Sequence, residues 1–353
     1  MKTLHKGIVM ALLAAALFGV STPAAKLLLG QVPPLALAGL LYLGSGLGLS
    51  VWLLARLLIG KEQMQREAPL TRQDAPWLAG AILFGGAVAP VLLMTGLAMI
   101  PAANAALLLN LEGVFTAVMA WFVFHENFDR RLVTGMALIT VAGGLLAWNG
   151  PQADWPVLGA LAVVAACAGW AIDNNLTRKV SGGDPVQITA LKGGIAGSIN
   201  LALAVYTGWS PAAWSSLLLV GIVGLFGYGI SLVLFVRALR EIGAARTAAY
   251  FSSAPFIGAV VAMLVFGAVP GVVFWVAALL MAIGVWLHIS EHHEHTHTHE
   301  ALAHEHAHLH DAHHQHEHDF PWDGHEPHTH FHVHEPLIHC HPHYPDLHHR
   351  HRH

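Results

Sequence analysis

The sequence contains little charge, few cysteines and no basic cluster. Asp, Glu, Lys and Arg make up 11% of the 353 residues, against about a quarter in soluble domains. Cys167 and Cys340 lie in different regions of the chain, so no disulfide framework is expected. The basic residues are scattered singly, which argues against nucleic-acid binding. No nucleotide-binding motif, HExxH or nucleophile–base pair stands in the apolar segments, so the sequence predicts neither a primary pump nor an enzyme.

Apolar sequence is abundant instead. Hydrophobic residues make up 55% of the chain, and the mean hydropathy is +0.55. Crossing a bilayer takes about 20 apolar residues in a helix, and only helices and closed barrels satisfy their backbone groups in hydrocarbon. The sequence therefore predicts an all-α polytopic membrane protein with ten transmembrane helices. The predicted spans are 7–29, 35–59, 77–98, 101–124, 132–149, 156–178, 186–207, 213–236, 244–266 and 270–289.

The distribution of Lys and Arg predicts the orientation. With a cytoplasmic N-terminus, every inward loop contains Lys or Arg, whereas the outward loops, such as NGPQADWP and TGWSP, contain neither. The N-terminal apolar run continues past the length of a signal peptide, which favours a retained first helix. We therefore expect a multi-pass protein of the inner (cytoplasmic) membrane with both termini in the cytoplasm.

The chain also contains an internal repeat. ALFGVSTPAAK aligns with AGWAIDNNLTR, which pairs Phe18 with Trp170 and Lys26 with Arg178. Further on, IPAANAALLLNLEGVF aligns with IGAARTAAYFSSAPFI. Each half thus holds five spans, and because five is odd the halves insert with opposite topology. Inverted repeats of this kind are typical of secondary transporters, whose site lies between the halves near the midplane.

The repeat resembles the EamA domain of the drug/metabolite transporter superfamily. The resemblance is carried by the small-residue-rich fourth span, Glu126 after it, and the Gly-rich fifth span with Gly135, Gly143 and Gly144. It implies a ten-helix carrier with a central cavity lined by spans 1–4 and 6–9. The expected domains are 1–150 and 151–290, two EamA-like five-helix repeats, and 291–353, a cytoplasmic tail.

The chain departs from the family pattern at two places. Ala268 takes the place that Glu126 holds in the first half, and Glu112-Gly113 stands where the first half usually has proline. The second half keeps Pro255.

Ionisable side chains inside a bilayer cost roughly 2.5–3.5 kcal/mol each on insertion scales, so each needs an explanation. Glu112 could bind a cation or carry a proton, or form a neutral hydrogen bond. Asp173 and Lys192 lie at the same depth, which predicts an ion pair that is a gate or a static pin. Lys26 is expected to reach the interface rather than a substrate. The predicted substrate-binding residues are Glu112, Asn110, Asp173, Asn174, Lys192 and Thr22.

Two glycine runs superficially resemble nucleotide-binding loops. GSGLGL (44–49) and GGIAG (193–197) lie within apolar helices, and no strand precedes them. Small residues spaced four apart let membrane helices approach closely. We therefore interpret both runs as helix-packing surfaces.

The C-terminal tail has a different composition. Residues 292–353 contain 25 histidines, and 11 acidic residues against two arginines follow residue 290. With so few aliphatic residues the tail is expected to be disordered. In H-x-H-x-H, alternate imidazoles fall on one side of an extended chain and suit Zn, Ni, Co or Cu. Predicted metal ligands are His304, His306, His308, His310, His313, His314, His316, His318, His328, His330, His332, His334, His339, Cys340, His341 and His343.

The favoured interpretation is a secondary transporter that works by alternating access, for transition-metal cations or a metal-linked metabolite, with the tail binding divalent metal. One alternative is an exporter of amino acids or other small organic metabolites with a regulatory tail. Another is a non-transporting membrane metal buffer or sensor. No required cofactor is expected. The expected partners are the lipid bilayer and a small-molecule or ion substrate, without nucleic acid, and a homodimer stays open.

Overall fold

The structure of the protein is a computed structural model. It describes residues 2–58, 70–72, 74–124, 130–147, 155–180, 183–210, 214–242, 244–289, 293–299, 302–308, 328–334 and 337–343. Within these residues, eight helices are long and apolar enough to cross a membrane. Two shorter apolar helices, Ala254–Phe266 and Val272–Leu287, complete the predicted ten.

The spans follow the sequence prediction closely. In span 8 the helix continues to Ile242, past the predicted end at 236. The helical segments are Lys2–Leu28 (span 1), Pro34–Leu58 (span 2), Ala75–Ala81, Ile82–Val88 and Ala89–Met99 (span 3), Ala102–Leu108 and Leu111–Phe124 (span 4), Arg130–Ala147 (span 5), Val157–Thr177 with the turn Arg178–Val180 (span 6), Pro185–Tyr206 (span 7), Trp214–Gly224, Leu225–Ile230 and Ser231–Ile242 (span 8), Ala244–Phe251 and Ala254–Phe266 (span 9), and Val272–Ile289 (span 10).

Four spans are irregular, and they correspond between the repeats. Spans 3 and 8 each contain a π-helical segment, Ile82–Val88 and Leu225–Ile230. Spans 4 and 9 are interrupted near their middles, at 109–110 and 252–253. A π segment leaves backbone carbonyls that need other donors. Irregular backbone at membrane depth is tolerated where protein or a cavity satisfies it, and it marks the binding region of many transporters.

The two repeats interdigitate, because the closest helix contacts join different halves. Span 2 packs along span 7, span 5 along span 10, and span 1 against spans 8 and 9. Glycines permit these approaches. A Cβ atom on Gly46 would lie 2.2 Å from the nitrogen of Gly194, and one on Gly284 would lie 2.7 Å from the oxygen of Gly135. The glycine runs of spans 2 and 7 are therefore packing surfaces, as predicted.

Contacts at the helix ends define the two faces of the bundle. Arg56 at the end of span 2 lies 3.2 Å from Asp184 at the start of span 7. Lys179 after span 6 lies 5.8 Å from the ring centroid of Trp77 in span 3. We call this face the arginine side. The opposite face, where span 1 ends and span 3 ends, is the Lys26 side.

Two groups of three spans are related by the repeat. Spans 1, 8 and 9 pack together, and so do spans 6, 3 and 4. We call them the 1–8–9 bundle and the 3–4–6 bundle. On the Lys26 side they touch, because Ala102–Leu108 packs on Ala254–Phe266. On the arginine side, the described parts of Leu111–Phe124 and Ala244–Phe251 show no comparable packing.

The tail has extended backbone where the structure describes it. Four strands, β1 (His293–His299), β2 (Leu302–His308), β3 (His328–His334) and β4 (Leu337–His343), pair as β1 with β4 and β2 with β3, both antiparallel. The register places His304 opposite His332 and His306 opposite His330. The H-x-H alternation has the period of two that is typical of a strand, which favours extended backbone in these segments.

Candidate functional site

Asp173 and Lys192 form a buried ion pair between spans 6 and 7. The Lys192 ammonium donates to Asp173 Oδ2, and the two residues are 7% and 4% exposed. The ion pair lies against the π segment of span 3 at Gly85, which has no side chain. A Cβ atom on Gly85 would lie 2.1 Å from Asp173 Oδ2. Thr177 Oγ1 donates to the other carboxylate oxygen at 2.9 Å. Burial on all sides favours the static pin over a gate that contacts substrate.

The π segment of span 3 is held by side chains from three other spans. Tyr42 Oη and Trp170 Nε1 donate to the carbonyl of Gly85 at 2.7 and 3.0 Å. Asn200 Nδ2 donates to the carbonyl of Ala87 at 3.1 Å. These donors satisfy carbonyls that the wider turn releases from the helix ladder. Span 3 is thereby tied to spans 2, 6 and 7.

A second polar group lies beside the ion pair and is more accessible. Asn174 Nδ2 donates to Glu112 Oε1 at 2.8 Å and lies 3.5 Å from Thr116 Oγ1. Asn174 is exposed and Glu112 is partly exposed. Glu112 stands in the first turn of Leu111–Phe124, just after the interruption of span 4. The N-terminus of this half-helix stabilises negative charge at that position.

Two further predicted residues lie apart from this group. Asn110 is buried and donates to the carbonyl of Leu107 at 3.0 Å, and its amide faces Met281 Sδ of span 10 at 3.7 Å. Thr22 is 1% exposed in span 1. Substrate binding by either residue remains a prediction.

Lys26, predicted to reach the interface rather than a substrate, contacts the end of span 3. Its ammonium donates to three carbonyls at the end of span 3: Leu97 at 2.5 Å, Ala98 at 3.3 Å and Ile100 at 3.1 Å. The last carbonyls of a helix have no partner within the helix and carry its negative dipole end. These carbonyls therefore attract a nearby cation.

The predicted metal ligands are only partly within the described residues. His304, His306 and His308 lie in β2; His328, His330, His332 and His334 in β3; and His339, Cys340, His341 and His343 in β4. His310, His313, His314, His316 and His318, together with Glu126, lie outside the described residues. In the described part of the chain no three His, Cys, Asp or Glu residues gather as a metal site.

Several residues of the site were missed by the sequence analysis. Tyr42, Trp170 and Asn200 bind the π segment, and Thr116 adjoins Asn174. Glycines at matching places in spans 3 and 8, Gly85-Gly86 and Gly227-Tyr-Gly229, were the available signal. These glycines indicate where the backbone of one span approaches its neighbour. Which side chains donate to the π segment becomes clear only from the packing of the helices.

A model of the EamA-like transporter family matches residues 5–148 and, separately, residues 157–290. The chain belongs to the EamA-like transporter family. As an EamA-like transporter it is a multi-pass membrane protein, and the two matched ranges correspond to its two five-helix repeats.

Similar proteins agree with this membership. An uncharacterized transporter from Methanothermobacter thermautotrophicus is 26% identical over 292 residues, which cover 80% of this EamA-like chain and 85% of that protein. A crystal structure of another protein covers 81% of this chain and 95% of its own, with TM-score 0.56 and 19% identity. At that identity the likeness shows the fold alone.

Proposed function

We propose that the chain is a secondary transporter of the cytoplasmic membrane that works by alternating access. The family and the inverted repeats support this mechanism, because repeats of opposite topology can exchange two equivalent conformations. The arginine side corresponds to the cytoplasm, since Lys and Arg gather on cytoplasmic ends of spans. Both termini then lie in the cytoplasm, with the tail beside the inner opening.

The observation that carries the proposal is the Glu112–Asn174 pair. It stands at an interruption of span 4, and its two polar groups are accessible while the neighbouring ion pair is buried. The bundles pack on the Lys26 side, and the described residues show no comparable packing between them on the arginine side. This arrangement supports a passage that opens toward the cytoplasm, with the pair at its closed end.

The chemistry of the pair favours a small organic solute with a positively charged group. The Glu112 carboxylate accepts from such a group, the Asn174 carbonyl accepts a second hydrogen bond, and Thr116 supplies a hydroxyl one turn further. The Asp173–Lys192 pair is neutral as a unit and holds the helix that presents Asn174. A proton on the Glu112 carboxylate would compete with the substrate for the same site. If the carrier exchanges protons for substrate, this competition couples the two movements.

Purified protein in liposomes tests this function. A panel of amines and amino acids is screened for flux, and Glu112→Gln is expected to lower the rate by at least about tenfold, since a hydrogen bond to a charged group is lost. Asp184→Asn is the matched control, because its carboxylate lies on the same side but outside the site. Full activity of Glu112→Gln with every transported solute would refute the assignment.

A transition-metal cation, or a metal-linked metabolite, is the second candidate substrate. The observation that favours it is the tail, whose backbone register pairs histidine positions across neighbouring strands, and imidazole is a ligand that such ions prefer. The Glu112–Asn174 pair supplies few of the ligands that such ions prefer. In this version the tail collects Zn, Ni, Co or Cu ions at the cytoplasmic opening.

Deleting 291–353 separates the candidates. Lost metal flux favours the metal substrate. Lost metal resistance with intact flux indicates a regulatory tail, and intact amine or amino acid flux indicates the organic solute. No flux of any solute, with metal still bound by the full chain, would indicate a metal buffer or sensor instead.

A further inference from the structure

We propose that Lys26 is a latch that holds the Lys26 side of the passage closed, and that Arg178 is its counterpart in the opposite conformation. The inference rests on the proposed alternating-access function and names residues that control it. It starts from the three carbonyls that the Lys26 ammonium occupies.

Lys26 joins the two bundles rather than two helices of one bundle. It belongs to span 1, which packs with spans 8 and 9, whereas its acceptors end span 3, which packs with span 6. The ammonium has three donors, and all three meet carbonyls without helical partners. Separating the bundles on this side leaves these carbonyls without that cation, so the contact stabilises the closed state and not the open one.

Close packing near the Lys26 contact adds to the same closure. A Cβ atom on Gly258 of span 9 would lie 3.2 Å from the Cβ of Ala106 in span 4. Ala106 is 1% exposed, so the two bundles leave no passage between these helices. Opening this side must separate both the Lys26 contact and this helix pair.

The repeat supplies the counterpart on the other side. Lys26 aligns with Arg178 at the end of span 6, and LAMI (97–100) aligns with LREI (239–242) at the end of span 8. When the inverted repeats exchange conformations, Arg178 is expected to take the place at the end of span 8 that Lys26 takes at the end of span 3 here. Each conformation then has one latch, at its closed side.

Side-specific labelling of the full chain in membranes tests the latch. Ala106→Cys is placed in a background with Cys167→Ala and Cys340→Ser, and an impermeant maleimide is added on the Lys26 side without substrate. Lys26→Met is expected to raise the labelling rate by about tenfold, since three charge-assisted hydrogen bonds are lost from one conformation only. Lys26→Arg keeps the donors and is expected to restore slow labelling.

Two further variants make the result specific. Ser216→Ala removes the 2.7 Å hydrogen bond to Gln31 on the same side. That bond joins span 8 to the end of span 1 and does not connect the two bundles, so the labelling rate should not change. Arg178→Met is expected to lower the labelling rate, because it destabilises the opposite conformation. Opposite shifts for Lys26→Met and Arg178→Met support the paired latch.

The failing outcomes are distinct. If Lys26→Met and Ser216→Ala give equal rates while the protein transports solute, the latch is wrong and the carrier stands. If no variant is ever labelled from the Lys26 side, the latch and alternating access are both wrong.

Discussion

Removing one partner of the Asp173–Lys192 pair should destabilise the protein far more than removing both. The side chains of Lys192 and Asp173 are only 9% and 6% exposed. Loss of one charge from such a pair leaves the other buried without compensation, at a cost of about 3–5 kcal/mol. Lys192→Met should therefore lower the free energy of unfolding by that amount. Adding Asp173→Asn removes the orphan charge and should recover at least about half of the loss.

Unfolding in mixed micelles of mild detergent and dodecyl sulfate measures the four corners of this double-mutant cycle. Asp184→Asn is the control for a more accessible ion pair, since the Arg56 and Asp184 side chains are 24% and 15% exposed. Asp184 also caps span 7 by accepting from the backbone N–H of Val186 at 2.8 Å. Asn keeps such an acceptor, so this variant should cost less than about 1 kcal/mol. Additive costs for Lys192→Met and Asp173→Asn would refute the buried, coupled pair.

Three other predictions concern the polar core and the tail. Gly85→Ala should lower the free energy of unfolding by about 1–3 kcal/mol, because its methyl group overlaps the Asp173 carboxylate, whereas Gly144→Ala in span 5 meets nothing within 4 Å and should be neutral or stabilising. Tyr42→Phe and Trp170→Phe should each lower the free energy of unfolding by about 1 kcal/mol, and the double variant should lose more than the sum, because the Gly85 carbonyl then has neither donor. Unfolding free energies that simply add would contradict this. A chain lacking 291–353 should lose most of the zinc that the full chain retains after dialysis, measured by elemental analysis; equal zinc in both would remove the tail from the account.

Regular features of the fold were predictable from sequence, because the bilayer imposes them. The lengths of the apolar segments predicted the ten spans. Alignment of the sequence with itself predicted the two repeats, through matched pairs such as Phe18 and Trp170. Equal depth predicted the contact of Asp173 and Lys192. Span length and side-chain depth both follow from the number of residues along a helix, which can be counted in the sequence.

The irregular features were not predictable in the same way. The π segments at Ile82–Val88 and Leu225–Ile230 depend on donors such as Tyr42 and Asn200, which lie far away in sequence. The carbonyl partners of Lys26 were not predictable, because sequence does not show which helix end lies near the ammonium. The strands of the tail follow the period-two pattern, but their pairing is a long-range property.

Side-specific labelling of Asn174→Cys is the most direct test that the Glu112–Asn174 pair lies in a passage between the repeats. The variant is made with Cys167→Ala and Cys340→Ser, and impermeant maleimide is applied to sealed vesicles of each orientation. The account predicts rapid labelling from the side that holds the C-terminus, slowed by a transported solute. Labelling only from the opposite side, or none from either side in the folded protein, would contradict it.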